Sequence, residues 1–426
     1  MIRYIAFLNL FLLGFAVVQN PVRAAVRQDS ANILNTFVRE AVRNNPQIKS
    51  AEMRWRARRE RAPQVSSLDD PTFSYTRWLS SVETRVGPQK NVFALSQRFP
   101  FFGKLSLKGK MANQDALVAR EEYRASLRDV IFKVKRAYYD LYWIDQSLQI
   151  LARYQQLLQD FQRVTERQYA TGVGIQANVL KARLEISSIQ RQRLNFRQMR
   201  QVTAAHLNAL LARERDSEVP EIGVIDTSLV SVSEPELIQT ALRNREELKA
   251  AQAMIQKSEY SIRFSRREYL PDLDLSFRYV TVPDGKTLAA DNGKDAWSVT
   301  VGVNIPLLVA KRKAAVEEAR AMLASDRQHY HSVKNEVDAE IEDLYSRLKT
   351  SENMLTLYRH QLIPDAERTL QSVLAAYRTG ALDFLSLLDS ERILLNYHLE
   401  YTRELANYRK QAAALERAVG GKFVQK

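Results

Sequence analysis

The groups with which this chain could do chemistry are few. It has no cysteine, so thiol nucleophiles, thiolate metal sites and disulfides are excluded together. The histidines are His206, His329, His331, His360 and His398. His329 and His331 stand two apart on a predicted helix and point in different directions, and no carboxylate completes a metal set at helical spacing. Gly172-x-Gly174 lacks the third glycine and the preceding strand of a dinucleotide loop. Seven methionines form no ladder for copper or silver. The sequence therefore predicts no enzyme, no cofactor and no resident metal. What does recur is a glycine turn, Tyr169-Ala170-Thr171-Gly172 and again Tyr377-Arg378-Thr379-Gly380. Glycine takes the left-handed conformation cheaply and reverses a helix. The chemistry on offer is recognition between surfaces rather than bond making.

Those turns belong to a duplicated unit. Ala41-Val42-Arg43-Asn44 through Lys49 recurs as Ala241-Leu242-Arg243-Asn244 through Lys249, and Phe99-Pro100 recurs as Ile305-Pro306. Three anchors in one order, offset by about two hundred residues, mark an internal repeat. The first repeat covers residues 25–215 and the second 234–419, with a linker at 216–233 and a tail at 420–426. Each reads as a helix, two short strands, a very long helix, a glycine tip and a returning helix. The opening helices run over Asn32 to about Arg61 and Glu234 to about Arg267, the second signalled by Ser233 before Glu234-Pro235-Glu236.

The strands are read from alternation. Phe73 and Tyr75, then Phe93 and Leu95, interleave with polar or small residues in the first repeat. Leu273, Leu275, Phe277 and Tyr279, then Trp297, Val299, Val301 and Val303, do so in the second. Leu79 to Lys90 and Pro283 to Asp295 read as polar hairpin loops. A soluble sandwich or a membrane barrel would both show one apolar and one polar face. Strand number separates them. Four strands cannot make a sandwich core, closure takes about eight or more, and an open sheet in lipid leaves backbone groups unpaired. Three copies would supply twelve strands, which closes a barrel.

The long helices carry heptad seams. Tyr123, Leu127, Val130, Val134, Ala137 and Leu141 open one that runs on to Leu151; Tyr330 to Leu362 repeats it, with Pro364 as a kink. A helix from Lys104 to Gln168 would reach roughly 98 Å. No globular core needs that length; a structure bridging a gap does.

Composition sets the compartment. Gly and Pro number only 13 and 12 while charged residues reach 26%, which suits extended helix. Residues 1–24 read as a signal peptide, with Arg3, an apolar stretch from Ile5 to Val18, and Val22 and Ala24 before cleavage. The competing reading is a membrane anchor, but an apolar core of about 14 residues falls short of the roughly 20 that span a bilayer. Without cysteine there is no lipid anchor either. A net charge of +14 invites a nucleic-acid reading. The densest cluster, Arg54, Arg56, Arg58, Arg59 and Arg61, has no Gly-rich or aromatic module around it, and an exported chain seldom meets DNA.

The ordered duplicate, the Tyr-x-Thr-Gly tips and the strand-closing Phe99-Pro100 and Ile305-Pro306 resemble the TolC-like outer-membrane efflux family over essentially the whole mature chain. Gln97-Arg98-Phe99-Pro100-Phe101-Phe102-Gly103-Lys104-Leu105 looks like its heavy-metal-efflux branch. The resemblance implies a mainly α fold with a small β part: a homotrimeric, twelve-stranded barrel in outer-membrane lipid, continued by a periplasmic α-helical barrel. It implies a passive duct fed by an inner-membrane pump of RND type through a periplasmic adaptor (membrane fusion) protein. It places Tyr169, Thr171, Gly172 and Val173, with Tyr377, Thr379, Gly380 and Ala381, at the adaptor-docking end. It sets Asp389 at a pore constriction, with Asp383 a nearby candidate and Ser386 where a second acid would stand. The twelve apolar strand residues named above would face lipid. The alternative is a periplasmic coiled-coil scaffold without a channel.

Overall fold

The sequence Asn45-Pro46 breaks the first opening helix, because a residue before proline is disfavoured in the helical region. α1 (Pro21–Asn44) stops and α2 (Pro46–Arg59) restarts. Asn45 Oδ1 caps the new end, accepting from the amides of Gln47 at 2.9 Å and Ile48 at 3.3 Å. A short α3 (Arg61–Ser66) follows. In the second repeat α6 (Glu234–Asn244) and α7 (Glu246–Arg267) part at Arg245, whose φ of −59° and ψ of 125° leave the helix. The single opening helices expected over 32–61 and 234–267 are therefore each broken. The Ser233 signal holds in its reciprocal form: the Glu236 carboxylate accepts from the Ser233 amide at 3.4 Å.

This structure, a computed structural model, describes residues 21–285, 288 and 290–421. The expected signal peptide falls outside them except for residues 21–24, as does the tail beyond Gly421.

β1 (Thr72–Thr84), β2 (Gly87–Phe99), β3 (Leu273–Thr281) and β4 (Ala296–Val303) form one antiparallel sheet in that order. The loop expected over 79–90 is instead strand, with only Arg85 and Val86 at the turn. Pairing resumes at Val82–Gln89 and ends at Thr84–Gly87 after an irregularity that leaves residues 78–81 of β1 unpaired with β2. Polar residues hid this extension, since alternation marks strands only where one face is buried. The 283–295 loop does lie between β3 and β4.

α4 (Lys104–Ala170) is continuous for 67 residues and α5 (Gln176–Leu211) returns from it. α8 (Val309–Leu357) passes through a π-helical turn (Tyr358–Leu362) into α9 (Ile363–Arg378), and α10 (Phe384–Ala418) returns. The expected irregularity at Pro364 is this turn, in which the Ile363 amide reaches back to the Tyr358 carbonyl. Seam residues Val130, Val134, Leu141, Ile144 and Leu151 are buried, as are Val337, Ile341, Leu348 and Leu355.

Packing divides the chain into two units. One holds residues up to Ile48, Leu127–Ala241 and those from Ala339 onward; the other holds Lys49–Ser126 and Leu242–Asp338. In the first, Leu151, Tyr154, Leu158, Ala182, Ile186, Ile189, Phe384, Leu388 and Leu395 form a core between α4, α5 and α10. The 216–233 segment packs there too, burying Val219, Ile222, Ile225 and Val230.

The second unit holds the sheet, and its pivot is Asp272, just before β3. Its carboxylate accepts from Lys104 Nζ at 2.7 Å, the Phe101 amide at 2.9 Å and Arg98 Nη2 at 2.7 Å. Its amide donates to Asn304 Oδ1 at 2.5 Å. One residue thus ties the end of β2, the start of α4 and the end of β4. Burial would raise its pKa, but the Lys104, Phe101 and Arg98 donors outweigh that and hold it at about 2. Asp272→Ala leaves the buried Lys104 ammonium with only Glu268 at 3.3 Å and the Leu270 carbonyl at 3.0 Å, and is expected to cost about 2–3 kcal/mol, read as a lower urea midpoint in detergent. The wild type should lose about 2 kcal/mol as pH falls from about 4 toward about 2, since the folded chain resists protonation there.

Candidate functional site

Register decides what the sheet presents. Phe73, Leu95, Phe277 and Val299 form one row across all four strands, and Tyr75, Phe93, Tyr279 and Trp297 form another. Leu275 pairs with Val301 and Leu273 with Val303. Opposed residues in an antiparallel ladder share a face, so all twelve apolar positions lie on one side. The other side carries Thr72, Ser96, Ser276 and Thr300 in one row, and Ser74, Ala94, Arg278 and Ser298 in the next. The apolar side is left uncovered by the described residues: Phe73 is 66% exposed and Trp297 70%. Aromatic contacts within it, Tyr75–Phe93 at 5.2 Å and Phe277–Trp297 at 6.4 Å, order the face without burying it.

The two glycine tips are the same helix ending built twice. The Gly172 amide reaches the Tyr169 carbonyl at 3.1 Å and the Val173 amide reaches Gln168 at 2.9 Å; Gly380 to Tyr377 at 3.1 Å and Ala381 to Ala376 at 2.9 Å repeat the pattern. These are Schellman motifs, with glycine at φ of 73° and 76°. The threonines serve the same turns. Thr171 Oγ1 donates to Arg167 and Gln168 carbonyls and Thr379 Oγ1 to that of Ala376. Tyr377 joins the tips, its hydroxyl donating to Gln168 Oε1 at 3.2 Å while its ring meets Phe384. Tyr169 and Val173 remain exposed, as does Ala381. Three of the repeated tip residues therefore have a folding role that repetition alone did not reveal.

Of the constriction candidates, Asp383 is the N-cap of α10. Its Oδ1 accepts from the Ser386 amide at 2.9 Å and the Ser386 hydroxyl at 2.7 Å, which together lower its pKa. Asp389 is exposed two turns into the helix. The structure adds a residue that sequence reading missed. Glu391 is buried on the core face of α10, and burial pushes its carboxyl up to about 7. The available signal was spacing: Phe384, Leu388, Glu391 and Leu395 follow the seam, which puts an acid at a core position. The histidines are scattered; His206, His329, His331 and His360 are exposed and His398 half-buried. Among the described residues no three His, Asp or Glu side chains gather as a metal site, and no helix is long and apolar enough to cross a membrane.

The fold is that of solved outer-membrane channels. VceC of Vibrio cholerae matches with a TM-score of 0.75 at 20% identity, covering 92% of this chain and 97% of that one. CusC, solved in a study of transmembrane channel formation, matches at 0.77 and 19%, covering 92% of each. The open-state outer membrane channel MtrE of Neisseria gonorrhoeae matches at 0.73 and 16%, covering 91% and 89%. The outer membrane efflux protein model matches residues 37–213 and 237–421, one segment per repeat. The chain belongs to the outer membrane efflux protein family. The cobalt-zinc-cadmium resistance protein CzcC of Cupriavidus metallidurans is 21% identical over 271 residues, 61% of this chain and 60% of that relative's length.

Glu391 yields a signed pH effect. Its folded pKa lies above the ordinary value of about 4.3, so stability is fullest below that value and falls as pH rises through about 7. Glu391→Gln should flatten this dependence and raise stability at about pH 8 by on the order of 2–3 kcal/mol, measured by urea midpoints at about pH 5 and pH 8.

Proposed function

We propose that the protein works as a homotrimeric outer-membrane duct, the exit of a tripartite efflux system. The observation that carries this reading is the sheet: twelve apolar residues on one uncovered face, and two strands with an outer edge open. Lipid covers the face, and pairing of β1 with β4 of the next copy closes the edges. The duct is passive. A pump in the inner membrane, of RND type, supplies the energy and chooses the cargo, and a periplasmic adaptor meets the helical tips. Asp389 is our candidate for the acidic constriction, since a ring of three carboxylates attracts cations. The likeness to a cobalt-zinc-cadmium resistance protein supports divalent cations as a cargo class. The mature chain is exported by cleavage of its leader.

The first test is mass and location. Envelope fractions extracted in mild detergent should yield a trimer from the outer membrane; a soluble periplasmic monomer would leave a coiled-coil scaffold instead. Phe277→Arg or Val301→Arg should block assembly, each placing a charge toward lipid at a cost of about 2–4 kcal/mol. Unchanged trimer yield would refute the facing assignment.

A second test concerns the tips. Apart from its own chain neighbours, nothing lies within 4 Å of a Cβ built on Gly380, so a side chain there meets chiefly the left-handed backbone strain of about 1–2 kcal/mol. Gly380→Val should leave trimers intact while lowering efflux in a resistance assay. Full efflux with an intact trimer would argue against docking at this turn.

A further inference from the structure

Where strands give way to helices, the charge on the molecule changes character. In the helical core cations are neutralised: Arg200 pairs with Asp145, Lys410 with Asp140, and Arg417 with Asp129 and Glu340. At the strand ends they are not. α4 presents Lys108 and Lys110 in its first two turns. α7 ends on Arg263, Arg266 and Arg267. α8 opens with Lys311, Arg312 and Lys313. None of these eight has a carboxylate partner among the described residues, and two acids at the same junction are engaged elsewhere, Asp272 by Lys104 and Arg98 and Glu268 by Lys104.

Contacts hold these cations along the last two turns or so of α7, within one unit. Lys108 lies 5.7 Å from the Phe264 ring, Lys110 5.7 Å and Arg263 5.6 Å from that of Tyr260. Arg267 donates to the Phe102 carbonyl, and Arg312 Nε donates to that of Glu268 at 2.7 Å. Rings and carbonyls orient a cation without cancelling its charge. Between this collar and the strands lies a second feature. Phe102 is 87% exposed, Leu307 79% and Leu308 68%, all in the connectors that leave β2 and β4. Along each connector the order is apolar strand face, bare apolar residues, then lysine and arginine. That order matches the boundary of a bilayer leaflet, acyl chains first and headgroups next.

We propose that this collar binds anionic phospholipid headgroups in the leaflet facing the periplasm. The inference rests on the membrane-duct reading and adds a lipid class to it. Arginine and lysine give charge-assisted hydrogen bonds to phosphate oxygens, and an anionic leaflet attracts basic clusters beside a membrane segment. Arg266, Lys311 and Lys313 are exposed and make no hydrogen bond to the described residues, so they are free to meet a headgroup.

The experiment uses the full-length protein in mixed micelles, with phosphatidylglycerol or phosphatidylcholine as the probe and native mass spectrometry as the readout. The wild type should retain phosphatidylglycerol over phosphatidylcholine by roughly tenfold or more at low salt, with the preference shrinking at high salt. The combined variant R263Q/R266Q/K311Q/K313Q should lose the preference and R263K/R266K/K311R/K313R should keep it. Equal retention of both lipids by trimeric, channel-forming wild type overturns the inference and leaves the duct standing. A variant with altered ion selectivity but unchanged lipid preference overturns it too, by placing the cations in the lumen. Wild type that forms no channel in either lipid sinks the duct reading itself.

Discussion

The unpaired backbone along the outer edges of β1 and β4 is the constraint on which the rest of this molecule depends. The central ladder of β2 with β3 runs unbroken from Asn91–Thr281 to Phe99–Leu273. That ladder joins the two repeats, each of which contributes one antiparallel pair to the sheet. Yet the four strands still leave two edges and one whole apolar face unmet. In water such a sheet would expose both, and in lipid the edges would cost several kcal/mol for each unsatisfied group. Closure by further copies in a lipid setting removes both difficulties at once. Closure by a sandwich would need a second sheet, which the described residues do not supply.

The same geometry explains why the strand-to-helix junction is so heavily bonded. A strand rises about 3.3 Å per residue and a helix about 1.5 Å, so the chain must change pitch and direction within a few residues. Asp272 meets this by binding three donors from the opposing repeat, Arg98, Phe101 and Lys104. A buried ion pair is weak evidence for net stability, since desolvation offsets much of its attraction. Its value here is geometric. It fixes where β3 starts against where α4 begins, and an apolar contact would permit sliding.

Much of this was legible in the sequence because periodicity reports burial. The seams of α4 and α8 and the alternation of β3 and β4 stand in the sequence itself, since each has one face that must be covered. Where coverage ends, the signal ends. The outer half of the β1–β2 hairpin has no buried face, so residues 79–84 and 87–90 looked like loop while forming strand. The helix breaks at Asn45 and Arg245 were hidden for a different reason. One proline reads as a tolerable first-turn residue, and Arg245 carries no breaking signal at all. Asp272 was visible only as the first letter of an alternating run, because its partners lie far away in sequence. Glu391 was legible from seam spacing, which treats an acid at a core position as an exception worth noting.

The two tips show how a duplication can keep a backbone and divide the labour of its side chains. Both turns make the same Schellman bonds, and in both the threonine hydroxyl completes the last helical turn. The tyrosines have parted. Tyr377 packs on Phe384 and donates to Gln168, which fixes one tip against the other, whereas Tyr169 is exposed. A residue committed to holding its own turn has little left to offer a partner. The exposed surface at the tips therefore differs between the repeats. It is a set of apolar side chains, Tyr169, Val173 and Ile175 at the first tip and Leu382 at the second, all exposed and joined to the turns' hydrogen bonds only through their backbone. The conserved geometry sets the spacing of two different faces, and a partner that reads both would distinguish one repeat from the other.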